Sequence, residues 1–271
     1  YWKVIAYDDQ GNSRESTNFF YYLTDNTAPT EFNLTLPIND TVSTNITPTL
    51  VWETTTETYF LNYTIIIANN TDFNNWTYMY AAYNDTTNTT FPLPDALDSD
   101  QQYYWKVIAY DKAGNSREST NFYYYLTDNS PPTPFDLTSP GNYTITTNRT
   151  PTLVWEATTE SNFRNYTIQI DTNAEFSSPD YQYERTGTTT NTTIAIPDTL
   201  AADQVFYWRV IAYDLADNLR VSTNLFVYIT DNTAPTAFDL TLPINETVST
   251  NITPTLVWET TTETYFLNYT I

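Results

Sequence analysis

The residues with the clearest chemical meaning are asparagines that open Asn-x-Thr triplets, the acceptor sequence for N-linked glycans. Every triplet ends in Thr and none ends in Ser. A chain this rich in Asn and Thr also produces some triplets by chance. The stronger candidates are Asn33, Asn39, Asn62, Asn69, Asn75, Asn84, Asn88, Asn142, Asn165, Asn191, Asn245 and Asn268. Asn45, Asn148 and Asn251 are weaker because Pro follows each triplet. The pattern predicts covalent N-glycans and an extracellular or cell-surface location.

Aromatic rings form the second group, at 17% of the chain. In the runs 19–22 and 122–125 rings follow one another, so both faces of a strand carry them. One interpretation is cross-strand ring pairing that stabilises a sheet. The other is an exposed surface that contacts further copies of the chain or stacks on sugars. The candidate contact residues on the second interpretation are Phe19, Tyr21, Tyr78, Tyr80, Tyr104, Tyr123 and Tyr125.

Acidic residues offer a third kind of chemistry, because oxygen ligands in loops suit Ca²⁺. Asp95, Asp98 and Asp100 crowd one loop, and the segments 24–30, 127–133 and 230–236 carry Asp-Asn shortly before Pro. Asp-Asn before Pro is also ordinary turn chemistry. The turn interpretation is favoured. We therefore expect no cofactor, with Ca²⁺ at these linkers as the alternative.

Several function classes are excluded by composition. The chain has no His and no Cys, and its ten Lys and Arg face thirty-two Asp and Glu, for a net charge of -22. Disulfides and thiolate metal sites are therefore absent, and clustered cations for nucleic acid or an anionic membrane are missing. No stretch of about 20 apolar residues predicts a membrane span. Nucleophile-elbow, Walker and zinc spacings are also missing, so we expect no enzymatic activity.

The elements that position these residues repeat every 103 residues. The run Tyr1–Asp8 returns, with small changes, at Tyr104–Asp111 and Tyr207–Asp214, and Thr41–Ile65 reappears unchanged at Thr247–Ile271. This period matches one independently folding domain. The predicted domains are a partial repeat at 1–26, complete repeats at 27–129 and 130–232, and a partial repeat at 233–271. Since the chain starts and stops inside repeats, we expect a longer polypeptide.

Each repeat reads as short strands because apolar residues alternate with polar ones and Thr, Tyr, Val and Ile dominate. In the first complete repeat the predicted strands are centred on Phe32–Leu36 and Leu50–Trp52, followed by 59–68, 77–82, 87–93, 103–110 and 117–126. Short strands at this spacing predict an all-β fold of tandem immunoglobulin-like sandwiches, each of about 100 residues.

The repeats resemble fibronectin type III domains. The resemblance rests on Leu50-x-Trp52, on Tyr63-x-Ile65, and on Leu97 followed by Tyr103-x-Trp105-x-Val107. It implies that the core contains Trp52, Trp155, Trp258, Tyr103, Trp105, Phe206 and Trp208. It also implies that Tyr103 forms a tyrosine corner, which Phe206 cannot form because it lacks the hydroxyl.

Pro without Gly in the linkers predicts stiff junctions and hence a rod. The sequence therefore predicts a structural component of an extracellular rod or filament, a tandem-repeat surface glycoprotein of a prokaryote, with an archaeal character. Its partners would be other copies of itself, joined end to end or laterally through aromatic strand faces. The alternative is the stalk of a cell-surface adhesin that binds carbohydrate or protein.

Overall fold

Alternation of apolar and polar residues produces strands throughout the chain. The computed structural model describes residues 1–82 and 85–271. Within this described part the chain forms strands, bridges and turns but no helix, and thus no helix that could cross a membrane. The described chain divides into two compact units. The first consists of residues Tyr1–Pro131 with Asp214–Asn218, and the second consists of residues Pro132–Tyr213 with Leu219–Ile271. The four-domain division remains a prediction.

The first unit contains a hairpin and one complete sandwich. The hairpin pairs β1 (Ile5–Tyr7) with β2 (Ser13–Glu15). The strands of the sandwich are β3 (Leu34–Leu36), β4 (Thr41–Ser43), β5 (Thr49–Trp52), β6 (Phe60–Ala68), β7 (Trp76–Ala82), β8 (Thr90–Pro92), β9 (Gln102–Asp111), β10 (Ser116–Glu118) and β11 (Tyr123–Thr127). One sheet has the order β3-β5-β8, and the other has the order β4-β11-β9-β6-β7 with β10 beside β9.

The second unit repeats this topology. Its strands are β12 (Leu137–Ser139), β13 (Thr144–Thr146), β14 (Thr152–Trp155), β15 (Phe163–Asp171), β16 (Tyr181–Thr186), β17 (Thr193–Ala195), β18 (Gln204–Asp214), β19 (Leu219–Val221) and β20 (Phe226–Thr230). The sheets run β12-β14-β17 and β13-β20-β18-β15-β16, with β19 beside β18. A last pair, β21 (Leu240–Leu242) with β22 (Val257–Trp258), belongs to the partial repeat.

Each complete sandwich has its own hydrophobic core between the two sheets. Six of the residues that the family resemblance places in the core are at most 2% exposed. They are Trp52, Tyr103, Trp105, Trp155, Phe206 and Trp208. Trp258 is only partly buried. Its repeat contributes two short strands, so fewer side chains pack over its ring.

A buried tyrosine links the two sheets in each sandwich. The Tyr63 ring on β6 lies 5.2 Å from the Trp52 ring on β5, in an edge-to-face arrangement. Its hydroxyl accepts a hydrogen bond from the Thr55 amide and donates one to the Thr86 carbonyl. Tyr166 repeats these contacts in the second unit. Burial raises the pKa of both hydroxyls, which keeps them neutral donors.

The tyrosine corner occurs in only one of the two sandwiches. The Tyr103 hydroxyl accepts a hydrogen bond from the Asp98 amide at 3.0 Å, five residues upstream. In the second unit Phe206 occupies the matching position and packs against the Tyr181 ring. Ring packing therefore takes the place of a hydrogen bond in the second sandwich.

The structure differs from the predicted strands at two places. The predicted strand 117–126 is interrupted between β10 and β11. In this interval the Ser119 hydroxyl donates a hydrogen bond to the Asn121 carbonyl, two residues later. The segment 41–43 forms a strand that was not predicted. It pairs in parallel with β11. A strand of three residues shows too little alternation of apolar and polar residues to be recognised in the sequence.

We expect Tyr63→Phe to destabilise the first sandwich by about 1–3 kcal/mol, because the Thr55 amide loses its buried acceptor. Urea unfolding followed by tryptophan fluorescence measures the change. Tyr110→Phe, on the outer side of β9, is the matched control and should leave the midpoint unchanged. Equal midpoints for the two variants would show that the hydroxyl contributes nothing.

Candidate functional site

Most of the candidate glycan acceptors lie at the surface of the folded chain. The side chains of Asn69, Asn75, Asn88, Asn245 and Asn268 are exposed. Each of these positions leaves room for a bulky substituent. Asn84 lies outside the described residues.

A second set of acceptors already makes side-chain hydrogen bonds, and all of them are exposed except the partly buried Asn191. The Asn39 side-chain oxygen accepts from the Tyr124 amide, and the Asn142 oxygen accepts from the Val227 amide at the matching position. Asn33 donates from its side-chain nitrogen to Glu53. Asn191 accepts from the Arg185 guanidinium and donates to a backbone carbonyl.

The weaker triplets all form the same local turn. In each, the asparagine oxygen accepts a hydrogen bond from the amide of the Thr two residues later. The triplets are those of Asn45, Asn148 and Asn251. This turn is a sufficient structural reason for Asn and Thr at these positions.

Asn165, one of the predicted glycan acceptors, is buried in the folded chain. Its side chain is 7% exposed, and its oxygen is shielded from solvent. The residue lies on β15, a central strand between β16 and β18. Asn62, at the matching position on β6, is partly buried and its oxygen is also shielded. Alternation of apolar and polar residues predicts which face of a strand a side chain is on. It does not predict whether a side chain on the outer face is buried.

One of the predicted contact aromatics lies in the core, and a second is partly buried against it. Tyr125 is 3% exposed, and its hydroxyl donates to the Asn45 carbonyl. Tyr123 packs edge-on against Trp105 and donates to the Leu34 carbonyl. The assignment of Tyr125 as a surface contact is therefore wrong, because β11 points this ring between the sheets. Tyr123 is partly buried, and its ring packs against the same core.

Tyr78 and Tyr80 pack partly on the core and partly at the surface of β7. Their rings are stacked, 6.1 Å apart and 8° from parallel. The Tyr80 hydroxyl donates to the Asp95 carboxylate at 2.9 Å. Burial, together with that carboxylate, raises the pKa of Tyr80 far above its usual range. Tyr183 and Asp198 repeat the contact in the second unit.

Tyr104 belongs to a ring cluster on the outer side of the six-stranded sheet. It contacts Phe122 and Tyr124, and Phe122 contacts Phe73. The Lys106 ammonium lies 4.8 Å from the centre of the Phe73 ring. In this repeat the rings thus cover one another, as the cross-strand interpretation predicts.

Phe19 and Tyr21 are strongly exposed, at 67% and 70%. They match Phe122 and Tyr124 of the complete repeat. Among the described residues, the strand pairing in their repeat consists of the β1–β2 hairpin and the bridge between Trp2 and Phe20. Phe19 and Tyr21 pack on Tyr1.

Within the described part of the chain, two carboxylates of the acidic loop 95–100 are hydrogen-bonded to different segments. Asp95 accepts from Tyr80, and Asp100 accepts from the Asn129 amide and the Ser130 hydroxyl. The structure brings together a different set, Asp25, Glu57 and Asp111. Sequence reasoning missed Glu57 and Asp111. Their recurrence at positions 160 and 214 was the available signal.

We expect glycopeptide mass spectrometry of the native protein to find Asn165 unmodified and glycans on the exposed Asn69 and Asn75. The reason is that a folded Asn165 leaves no path for a sugar to solvent. An intact mass equal to the bare 31.3 kDa of this span would contradict glycosylation altogether. A glycan on Asn165 would contradict its burial.

Parts of this chain are similar to known proteins. Residues 38–125 match the family model for the Rha78A-like, N-terminal immunoglobulin domain. Similar solved structures include the FN1–FN3 domains of chicken CNTN1, at 15% identity over 85% of this chain and 74% of that chain, with a TM-score of 0.43. The fibronectin(III)-like modules of Clostridium thermocellum CbhA match at 16% identity over 74% of this chain and 94% of that chain, with a TM-score of 0.40. No curated protein matches the sequence. The chain is made of tandem β-sandwich repeats, and most of its first complete repeat, residues 38–125, is similar to this immunoglobulin domain family.

Proposed function

We propose that this chain is a structural component of an extracellular filament, a non-enzymatic surface glycoprotein whose copies associate laterally. The observation that carries the proposal is the open edge strand β7. Domains of this fold are commonly extracellular and commonly act as spacers, which supports the same assignment. The Pro-containing linkers favour stiff junctions and hence a rod.

Strand β7 is suited to pairing with a second copy. It is the terminal strand of its sheet, so one row of its backbone groups faces away from β6. Its sequence, WTYMYAA, contains no charge, no Pro and no Gly. Trp76 and Met79 are 51% and 50% exposed. An uncharged apolar edge strand of this length is a template for strand pairing between molecules.

The matching edge of the second sandwich has the opposite character. Strand β16 reads YQYERT, and Glu184 and Arg185 place charges on it. Charged residues are the usual protection of an edge against pairing. Two sandwiches of one topology thus differ at this edge, and the difference singles out β7 as the associating surface.

One observation supports the adhesin alternative, the stacked rings of Tyr78 and Tyr80 at the surface of β7. Stacked rings beside the Asp95 carboxylate offer an apolar face with a hydrogen-bond acceptor, which is the combination that sugar rings bind. Electron microscopy of native material separates the two functions. Regular fibres support the filament, whereas isolated tapered stalks support the adhesin.

We expect Met79→Lys to abolish lateral association, because a buried lysine cannot be accommodated where two β7 strands meet. Sedimentation velocity of the unglycosylated chain, over a range of concentrations, measures the association. Leu219→Lys, at another half-exposed strand position, is the matched control and should associate like the unaltered chain. A concentration-independent monomer for the unaltered chain would contradict the proposal.

A further inference from the structure

A cleft lies beside the ring cluster on the outer side of the six-stranded sheet of the first unit. The loop between β6 and β7 and the loop between β10 and β11 line it, together with residues of β9 and β10. Its volume is about 230 Å³. Pockets that bury a drug-sized ligand measure roughly 300–1,000 Å³, so this cleft fits one small ring. The lining includes Asp72, Phe73, Lys106, Glu118, Asn121 and Phe122.

Two aromatic rings supply the apolar part of the cleft. The centres of the Phe73 and Phe122 rings are 5.7 Å apart, in an edge-to-face arrangement. Tyr104 also packs edge-on against Phe122, at 5.8 Å. Phe122 remains 43% exposed although both neighbours contact it. An aromatic ring that its neighbours hold in place and that solvent still reaches is a stacking surface for a ligand ring.

The charges in the cleft favour a neutral ligand. The Lys106 ammonium lies 4.8 Å from the centre of the Phe73 ring, where an organic cation would otherwise bind, and 2.9 Å from Glu118 Oε1. A ligand cation would therefore meet Lys106 on this ring. A ligand anion would meet the carboxylates of Glu118 and Asp72. A neutral ligand meets neither repulsion.

The cleft also presents hydrogen-bonding groups that the chain itself leaves unused. Among the described residues, the carboxylate of Asp72 and the side-chain amide of Asn121 have no hydrogen-bond or ion-pair partner. Both side chains are exposed. Glu118 bonds Lys106 through Oε1, which leaves Oε2 as a further acceptor. Two carboxylates and one amide beside an aromatic ring suit a ligand that has several hydroxyl groups and a C–H face.

One wall of the cleft is held in place by its own hydrogen bonds. The Ser119 hydroxyl donates to the Asn121 carbonyl. The Thr120 hydroxyl and the Thr120 amide both donate to the Phe32 carbonyl, which ties the loop to the segment before β3. The loop that carries Asn121 and Phe122 is therefore ordered before any ligand binds, and a preordered site loses less entropy on binding.

We propose that this cleft binds a neutral sugar, with one pyranose ring stacked on Phe122. Its hydroxyl groups donate to the carboxylates of Glu118 and Asp72, and the Asn121 amide bonds a further hydroxyl. The site is separate from the stacked rings of Tyr78 and Tyr80. It does not depend on lateral association through β7.

A cleft also occurs at the matching place in the partial repeat 1–26. Its volume is about 290 Å³. Lys3 pairs with Glu15 there, as Lys106 pairs with Glu118. Four of its lining residues stand 103 positions before lining residues of the first cleft, and these are Lys3, Ser16, Thr17 and Asn18.

The second complete repeat separates the structural part of this arrangement from the part that we assign to the sugar. It keeps a cation over a phenylalanine, since the Arg209 guanidinium lies 4.3 Å from the Phe176 ring. It has Val221 in place of Glu118 and Leu225 in place of Phe122. The fold thus requires the cation and its ring but not the acceptor and the exposed ring. The second repeat also supplies substitutions that a sandwich of this topology accepts.

The test is saturation-transfer difference NMR of the unglycosylated chain with the methyl α-pyranosides of glucose, galactose and mannose as probes. We expect saturable binding of at least one probe in the millimolar range. Phe122→Leu and Glu118→Val should each weaken it by about fivefold, through the loss of a ring contact or of a hydrogen bond to a charged group. Asp98→Ala is the matched control. It also takes its residue from the second repeat and removes a negative charge, but outside the cleft, so it should bind like the unaltered chain.

A further arm distinguishes the sources of the sugar. The same chain is titrated with N-glycans released from the native protein. Tighter binding of these glycans than of the methyl pyranosides indicates that the cleft holds a glycan of another copy. Binding of the pyranosides alone indicates a carbohydrate from outside the protein.

Three outcomes would overturn the site. The first is no saturable signal for any sugar probe up to about 100 mM. The second is an equal loss of binding in Asp98→Ala and in the two cleft variants. The third is saturable binding of tetramethylammonium chloride that the cleft variants lose, which would identify a site for organic cations. Circular dichroism checks the fold of each variant. Sedimentation velocity measures lateral association separately, so either proposal can fail alone.

Discussion

Each sandwich depends on one tyrosine that is packed as an apolar ring and bonded as a polar group. Tyr63 contacts the rings of Phe32, Trp52 and Phe60, so it joins the two sheets through aromatic packing. Its hydroxyl meanwhile bonds the chain at Thr55, in the loop between β5 and β6, and at Thr86, in the loop between β7 and β8. Because a buried hydroxyl without partners is costly, this contact fixes the loops as well as the sheets. The loop that carries Glu57 begins at this anchor.

The sequence predicted the core better than the surface, for a physical reason. Alternation identifies the inward face of a strand, and Trp52, Trp105 and Tyr103 are buried as the family resemblance implies. It does not show which outward residues are covered by neighbouring strands. Asn165 was expected at the surface and is buried, and Tyr125 was expected at a contact and lies in the core. The acidic cluster joins residues up to 86 positions apart, and only the fold brings such residues together.

The two complete sandwiches share the main contact of their cores but differ in their surfaces. Both keep the Trp–Tyr contact between the sheets, but the second exchanges the corner hydroxyl of Tyr103 for the ring packing of Phe206. It also exchanges the uncharged edge β7 for the charged edge β16. Core positions are constrained by packing density, whereas an edge is constrained only by what it meets. Divergence at the edge therefore carries information about partners.

Two forces of different range act on the lateral association that we propose. Pairing at β7 acts at short range and is insensitive to salt, because Trp76, Met79 and their backbone groups carry no charge. With a net charge of -22, copies of the chain repel one another at long range. Salt screens this repulsion and leaves the short-range contact unchanged, so a higher ionic strength favours the proposed pairing.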